Sequence, residues 1–227
     1  MLRSVLIATL MLVNVSAFSE EFNPELMIKN VVVTPIENSD KAVFELPVAP
    51  ANPIDEISMY VDGLIALGKK IWPIIEAGRP VINTTGLAPS ISVIPHIPGT
   101  PAQAEFYAMA DWSAPKSASY RVSFKNYFNS EVIGFTYTVY FQYNGSYLGA
   151  GKYITSLRVQ ASEVYAQWGF DFSATSQLVN MANVGSANAP VASAILEIAY
   201  TAKGLLNESR SAQSFYVDGS GVMKPLN

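Results

Sequence analysis

The chain contains no cysteine and a single histidine among its 227 residues. Without cysteine there is no disulfide scaffold, no thiol nucleophile and no thiolate metal site. The one imidazole, His96, leaves no histidine pair for a metal, and a Ser-His-Asp relay would rest on it alone. His96 lies in Ile94-Pro95-His96-Ile97-Pro98, and no Gly-x-Ser-x-Gly elbow occurs. It therefore reads as a loop histidine without catalytic duty. Charge is also scarce. Asp, Glu, Lys and Arg make up 14% of the chain, against about 25% in an ordinary domain. Fourteen cations against eighteen anions give a net charge of −4. That balance lacks the cationic excess that phosphate neutralisation needs, which argues against a nucleic-acid partner. A calcium-loop pattern is missing. Gly149-Ala150-Gly151-Lys152 evokes a phosphate loop but lacks a following helix. No metal site and no cofactor is expected.

What is present begins with an export signal. Arg3 supplies a positive start, Val5 to Val13 an apolar run, and Val15-Ser16-Ala17 a small-x-small cleavage site. Residues 1–17 are thus expected to be a cleaved signal peptide, the run being too short to span a bilayer. No later stretch is apolar for 18 residues, so no membrane-spanning helix is expected after cleavage. The protein is read as exported, periplasmic or secreted, with stability resting on its core. Residues 18–53 read as an irregular lead-in with edge-strand segments, punctuated by Pro24, Pro35, Pro47, Pro50 and Pro53. Residues 54–227 read as one domain.

That domain is expected to open on an amphipathic helix over about 54–76. Asn52 suits the N-cap and Pro53 the first helical position. Ile54, Ile57, Val61, Leu64, Ile65, Gly68, Ile71, Trp72 and Ile75 recur at helical spacing, opposite Glu56, Asp62, Lys69, Lys70 and Glu76. From about residue 81 the period changes to two. Tyr120, Val122 and Phe124 alternate with polar neighbours, as do Ile133, Phe135, Tyr137, Val139, Phe141 and Tyr143. Asn144-Gly145 predicts a hairpin turn leading into 147–160. A parity change near Ala161–Glu163 predicts a bulge or turn, after which Val164, Ala166, Trp168 and Phe170 share a face. Further strands are predicted at 104–112, 194–202 and 213–217, with 173–190 either a crossover loop or a short helix. The expected fold class is mainly β, an antiparallel β-sandwich with helix 54–76 packed on it.

No catalytic constellation emerges. Asp111, Glu131, Glu163, Asp171, Glu197, Glu208 and Asp218 offer carboxylates, but the spacing does not pair them as a glycosidase requires. Glu197 interrupts an apolar run and is expected on the solvated face of its strand. Trp72, Tyr127, Tyr140, Tyr143 and Tyr147 form a candidate interaction surface, because aromatics with a polar handle suit interfaces. A low-charge sheet surface is weakly guarded against edge pairing. The expected function is therefore a non-enzymatic interaction protein, exported or peripherally envelope-associated, that binds another protein or itself. Two alternatives stand beside it. One is a membrane-active, pore-forming-like protein using helix 54–76. The other is a carbohydrate-binding module using exposed aromatics.

Overall fold

The computed structural model describes residues 23–36, 59–61, 63–81, 89–97 and 108–226. The proposed signal peptide 1–17, and residues 54–58 and 62 of the expected helix, lie outside them. After a short 3-10 turn at Pro24–Leu26 the described chain runs through fourteen strands. These are β1 (Ile28–Pro35), β2 (Met59–Val61), β3 (Leu64–Gly68), β4 (Ile71–Glu76), β5 (Arg79–Pro80), β6 (Ile91–Pro95) and β7 (Met109–Ala110). The longer ones follow: β8 (Lys116–Asn126), β9 (Glu131–Tyr147), β10 (Ala150–Ala166), β11 (Asp171–Asn183), β12 (Ala192–Lys203), β13 (Glu208–Asp218) and β14 (Met223–Pro225). They form two sheets, β1-β8-β9-β10-β6-β3-β2 with β7 beside β9, and β14-β13-β12-β11-β4-β5. Every paired strand is antiparallel to its neighbour. The protein is mainly β, consistent with a β-sandwich.

Alternation creates the contact between the sheets. Phe124 on β8 and Phe135 and Tyr137 on β9 point inward from the first sheet. Phe172 on β11, Tyr200 on β12 and Phe215 on β13 meet them from the second. Phe135 and Phe172 stand 4.8 Å apart between ring centroids, and Tyr120 and Phe215 5.0 Å. Aromatic pairs at this spacing contribute about 0.5–1.5 kcal/mol beyond their burial. The Tyr137 hydroxyl, fully buried, donates to Gln213 Oε1, so its polar end is satisfied inside the core.

The expected helix over 54–76 is not formed where the chain is described: 59–61, 64–68 and 71–76 are strands. The apolar spacing that suggested a helix is met instead by short strands, of which β3 and β4 carry buried residues, with Gly63 between β2 and β3 and Gly68 closing β3. Gly68 has φ +120, outside the helical region, and a Cβ there would lie 2.1 Å from the Ser90 carbonyl oxygen. Pro73 is tolerated in β4 because, among the described residues, β5 pairs with Ile75 and Glu76 and no strand pairs with Pro73 on that edge. Trp72 consequently points into the core.

Three further expectations are corrected. Residues 171–183 form the long strand β11, not a loop or helix. Of the strand expected at 104–112, only Met109–Ala110 pairs within the described residues. The hairpin between β9 and β10 exists, but its tip is Leu148-Gly149, four residues beyond Asn144-Gly145. Asn144 does take positive φ, as an irregularity within the pairing. A Cβ at Gly145 would meet the Trp112 ring at 2.4 Å, so glycine there admits the indole. The register does break between Ser162 and Tyr165, where parity predicts it, with Glu163 at φ +51.

Two outcomes check this description. Gly68→Ala would stabilise a helix by about 1 kcal/mol. In the strand arrangement it destabilises by about 2 kcal/mol or more, because the Cβ meets backbone at a positive φ; urea unfolding reads the sign. The second concerns alkaline pH. Burial first, then the neighbouring Tyr200 and Tyr120, raises the Tyr137 pKa far above its ordinary 10.0. Burial raises Tyr120, Tyr153 and Tyr200 in the same direction. The native chain keeps these protons after the unfolded chain has released them. Stability is therefore complete below about pH 10 and falls as pH rises above it. Tyr137→Phe makes that fall shallower by up to about 1.4 kcal/mol per pH unit, while costing about 1–3 kcal/mol at neutral pH through the orphaned Gln213.

Candidate interaction end

The five aromatics singled out from sequence do not form one surface. Trp72 is 2% exposed and belongs to the core. Tyr140 lies half-buried on the outer face of the first sheet, with the Arg158 guanidinium 5.3 Å above its ring. Tyr143 carries the Lys116 ammonium at 4.9 Å, and that ammonium also donates to the Gly221 carbonyl at 2.7 Å. Two of the expected stacking platforms are thus already covered by cations. Tyr147 is half-buried at the β7–β9 pairing. Only Tyr127 is exposed, on the turn after β8.

The carboxylates divide in the same way. Glu131 and Glu163 converge on Arg121, whose Nη2 is 2.6 Å from Glu131 Oε1 and whose Nη1 is 4.0 Å from Glu163 Oε2. The second oxygen of Glu131 accepts from Ser123, and Glu163 Oε2 accepts from Thr136 at 2.8 Å. Both oxygens of Glu131 are engaged within the protein, and the cluster fastens the bulge of β10 to its neighbours. Glu197 sits on the outer face of β12, as alternation predicts, accepting from its register partner Gln177 at 2.6 Å. Among the described residues no three His, Asp or Glu side chains group as metal ligands. His96 follows β6 directly, its amide donating to the Gly63 carbonyl.

A different cluster does form. Tyr127, Phe128, Tyr165 and Trp168 are the exposed aromatic residues of the described chain, and all four lie at one end of the sandwich. Trp168 is 85% exposed and Phe128 61%. They stand on or beside two turns, 127–130 and 167–170, that the pairing of β9 with β8 and β10 places side by side. A third turn, 204–207, joins them with Leu205, 58% exposed, and Leu206. A Cβ at Gly169 would lie 3.5 Å from Leu205 and 3.8 Å from Leu26, so the second and third turns are neighbours.

Asparagines build the frames of the first and third turns, and backbone hydrogen bonds that of the second. The buried Asn126 carboxamide accepts from the Phe128 and Ser130 amides and donates to the Glu25 carbonyl. That Asx arrangement fixes the backbone of the first turn. The Gln167 amide donates to Val132 at 2.8 Å, and Phe170 closes the second turn by donating to Gln167. In the third, Gly204 donates to the Asn207 carbonyl, while the Asn207 side chain accepts from Ile28 and donates back to it. The 3-10 turn at 24–26 touches both the first and third turns, tying the end together. Rigid polar frames thus present apolar side chains that take little part in packing.

Sequence reasoning missed Trp168, Leu205 and Leu206 because it placed Trp168 on an inward strand face. The usable signals were Trp followed by glycine, and two leucines set between glycine and asparagine. Trp168→Ala changes stability by less than about 0.5 kcal/mol, as an exposed substitution should. Because Trp72 is buried and Trp112 half-buried, it also shifts the total emission to the blue; an unmoved spectrum would place the Trp168 ring inside the molecule. No family model, no curated protein and no solved structure matches this chain, so the functional reading rests on its own geometry.

Proposed function

We propose that this is an exported, non-enzymatic interaction protein that binds through the turn-bearing end of its sandwich and not through its sheet faces or edges. The observation that carries the reading is the segregation of every exposed aromatic among the described residues onto that end. Apolar groups held out by a rigid frame gain nothing for folding and are the expected form of a contact surface. The edges are weaker candidates than composition implies. β1 bears Lys29 and ends at Pro35, β5 contains Pro80 and β14 ends at Pro225, and lysine and proline both discourage edge pairing. The outer face of the first sheet holds an internally paired charge cluster and a capped tyrosine, which favours neither sugar stacking nor catalysis.

The test is retention on a mildly apolar phenyl matrix under native conditions. The Trp168→Ala, Phe128→Ala double variant should elute markedly earlier, while Leu148→Ser at the opposite end, a site 82% exposed, should elute near the unmodified chain. Equal retention of all three proteins would refute the assignment of the surface.

A further inference from the structure

We infer that the partner of this end is the interface of a zwitterionic lipid bilayer, into which the three turns insert shallowly; this rests on the reading of the end as the contact surface. The first support is chemical. The sequences Tyr127-Phe128-Asn129-Ser130, Gln167-Trp168-Gly169 and Gly204-Leu205-Leu206-Asn207 contain no Asp, Glu, Lys or Arg. An uncharged tip can leave water for the headgroup and upper acyl region without the desolvation cost of an ion. Tryptophan and tyrosine are the side chains that favour that zone, with one end apolar and the other wet.

The second support is the charge just behind the tips. Lys125 and Glu131 flank the first turn, Asp171 follows the second, Lys203 and Glu208 flank the third, and Glu25 lies on the 3-10 turn that touches the first and third. The signs are mixed, and Lys203 and Glu208 pair at 3.8 Å. A cationic collar would point to anionic lipid or nucleic acid. A mixed collar matches headgroups that carry both signs on the same molecule.

The third is the form of the surface. Trp168 keeps 85% of its area free, so its indole stands away from the sandwich instead of lying in a preformed groove. Separate protruding side chains fit a fluid that closes around each of them. Two copies meeting through the same end would bring protrusion against protrusion.

The experiment is co-sedimentation of the full chain with phosphatidylcholine vesicles, read together with tryptophan emission. Binding is expected to change little between low and high salt and to gain nothing from added phosphatidylserine. Emission should move to the blue, and the shift should vanish in Trp168→Phe. Trp168→Ala with Phe128→Ala should weaken partitioning roughly tenfold or more, because two exposed aromatic side chains no longer leave water. Leu148→Ser should bind like the unmodified chain. Because every comparison is made within the same full chain, the apolar N-terminal segment contributes equally to each.

Failure to sediment with vesicles of any composition would overturn the lipid assignment. So would binding confined to anionic vesicles and lost in salt, or binding equal in the double variant. If vesicles fail but phenyl retention still depends on Trp168 and Phe128, the end is a contact surface for another occupant. A dimer lost in the double variant would then identify that occupant as a second copy. If phenyl retention is independent as well, both readings fall together.

Discussion

One contact holds the molecule together: the aromatic layer where Phe124, Phe135 and Tyr137 meet Phe172, Tyr200 and Phe215. With no cysteine, no covalent link closes the two sheets on each other. Burying a large apolar side chain contributes about 1.5–3 kcal/mol, so this layer outweighs any surface ion pair, whose usual worth is about 0–1 kcal/mol. The layer also explains the inner face of β11. Opposite large rings from the first sheet, the inward positions Ala174 and Ser176 are small. Polar atoms enter the layer only under constraint. Tyr137 finds Gln213, whereas Trp72 Nε1 and Ser176 Oγ, register partners across β4 and β11, are buried without a hydrogen-bond partner among the described residues.

Legibility followed the size of the inward side chains. The period-two run from Ile133 to Tyr143 places a bulky residue at every second position, and β9 runs through it. The parity change at Glu163 was equally readable, since a one-residue shift exchanges the two faces. β11 was hidden because alanine and serine at inward positions carry almost no hydropathic contrast with the polar residues between them. The segment 54–76 misled for the opposite reason. Its isoleucines are dense enough to satisfy a helical spacing as well as a set of short, buried strands. The arbiter is a backbone angle at Gly68 that residue type alone leaves open.

The proposed contact end was less legible than the fold, for a physical reason. Tyrosines along a strand announce themselves as surface, yet whether a ring is free depends on which cation lies across from it. Arg158 and Tyr140 are register partners, a fact of pairing that residue spacing does not contain. The exposed rings that do define the end come from different turns, brought together by strand order. Tyr127 stands beside an evident turn; Trp168 shares the parity of the inward Phe170, but β10 ends at Ala166 and Trp168 stands on the turn after it.

The Asx frame of the first turn has an implication for how such a protein can vary. Asn126 holds the loop by its own carboxamide, so the identity of the exposed residue 128 is almost decoupled from the folding equilibrium. Asn207 gives the third turn a similar independence. If these turns form the proposed contact surface, selection could therefore rewrite what they bind, one substitution at a time, without crossing a stability threshold. The sandwich then acts as a chassis whose business end is free to drift.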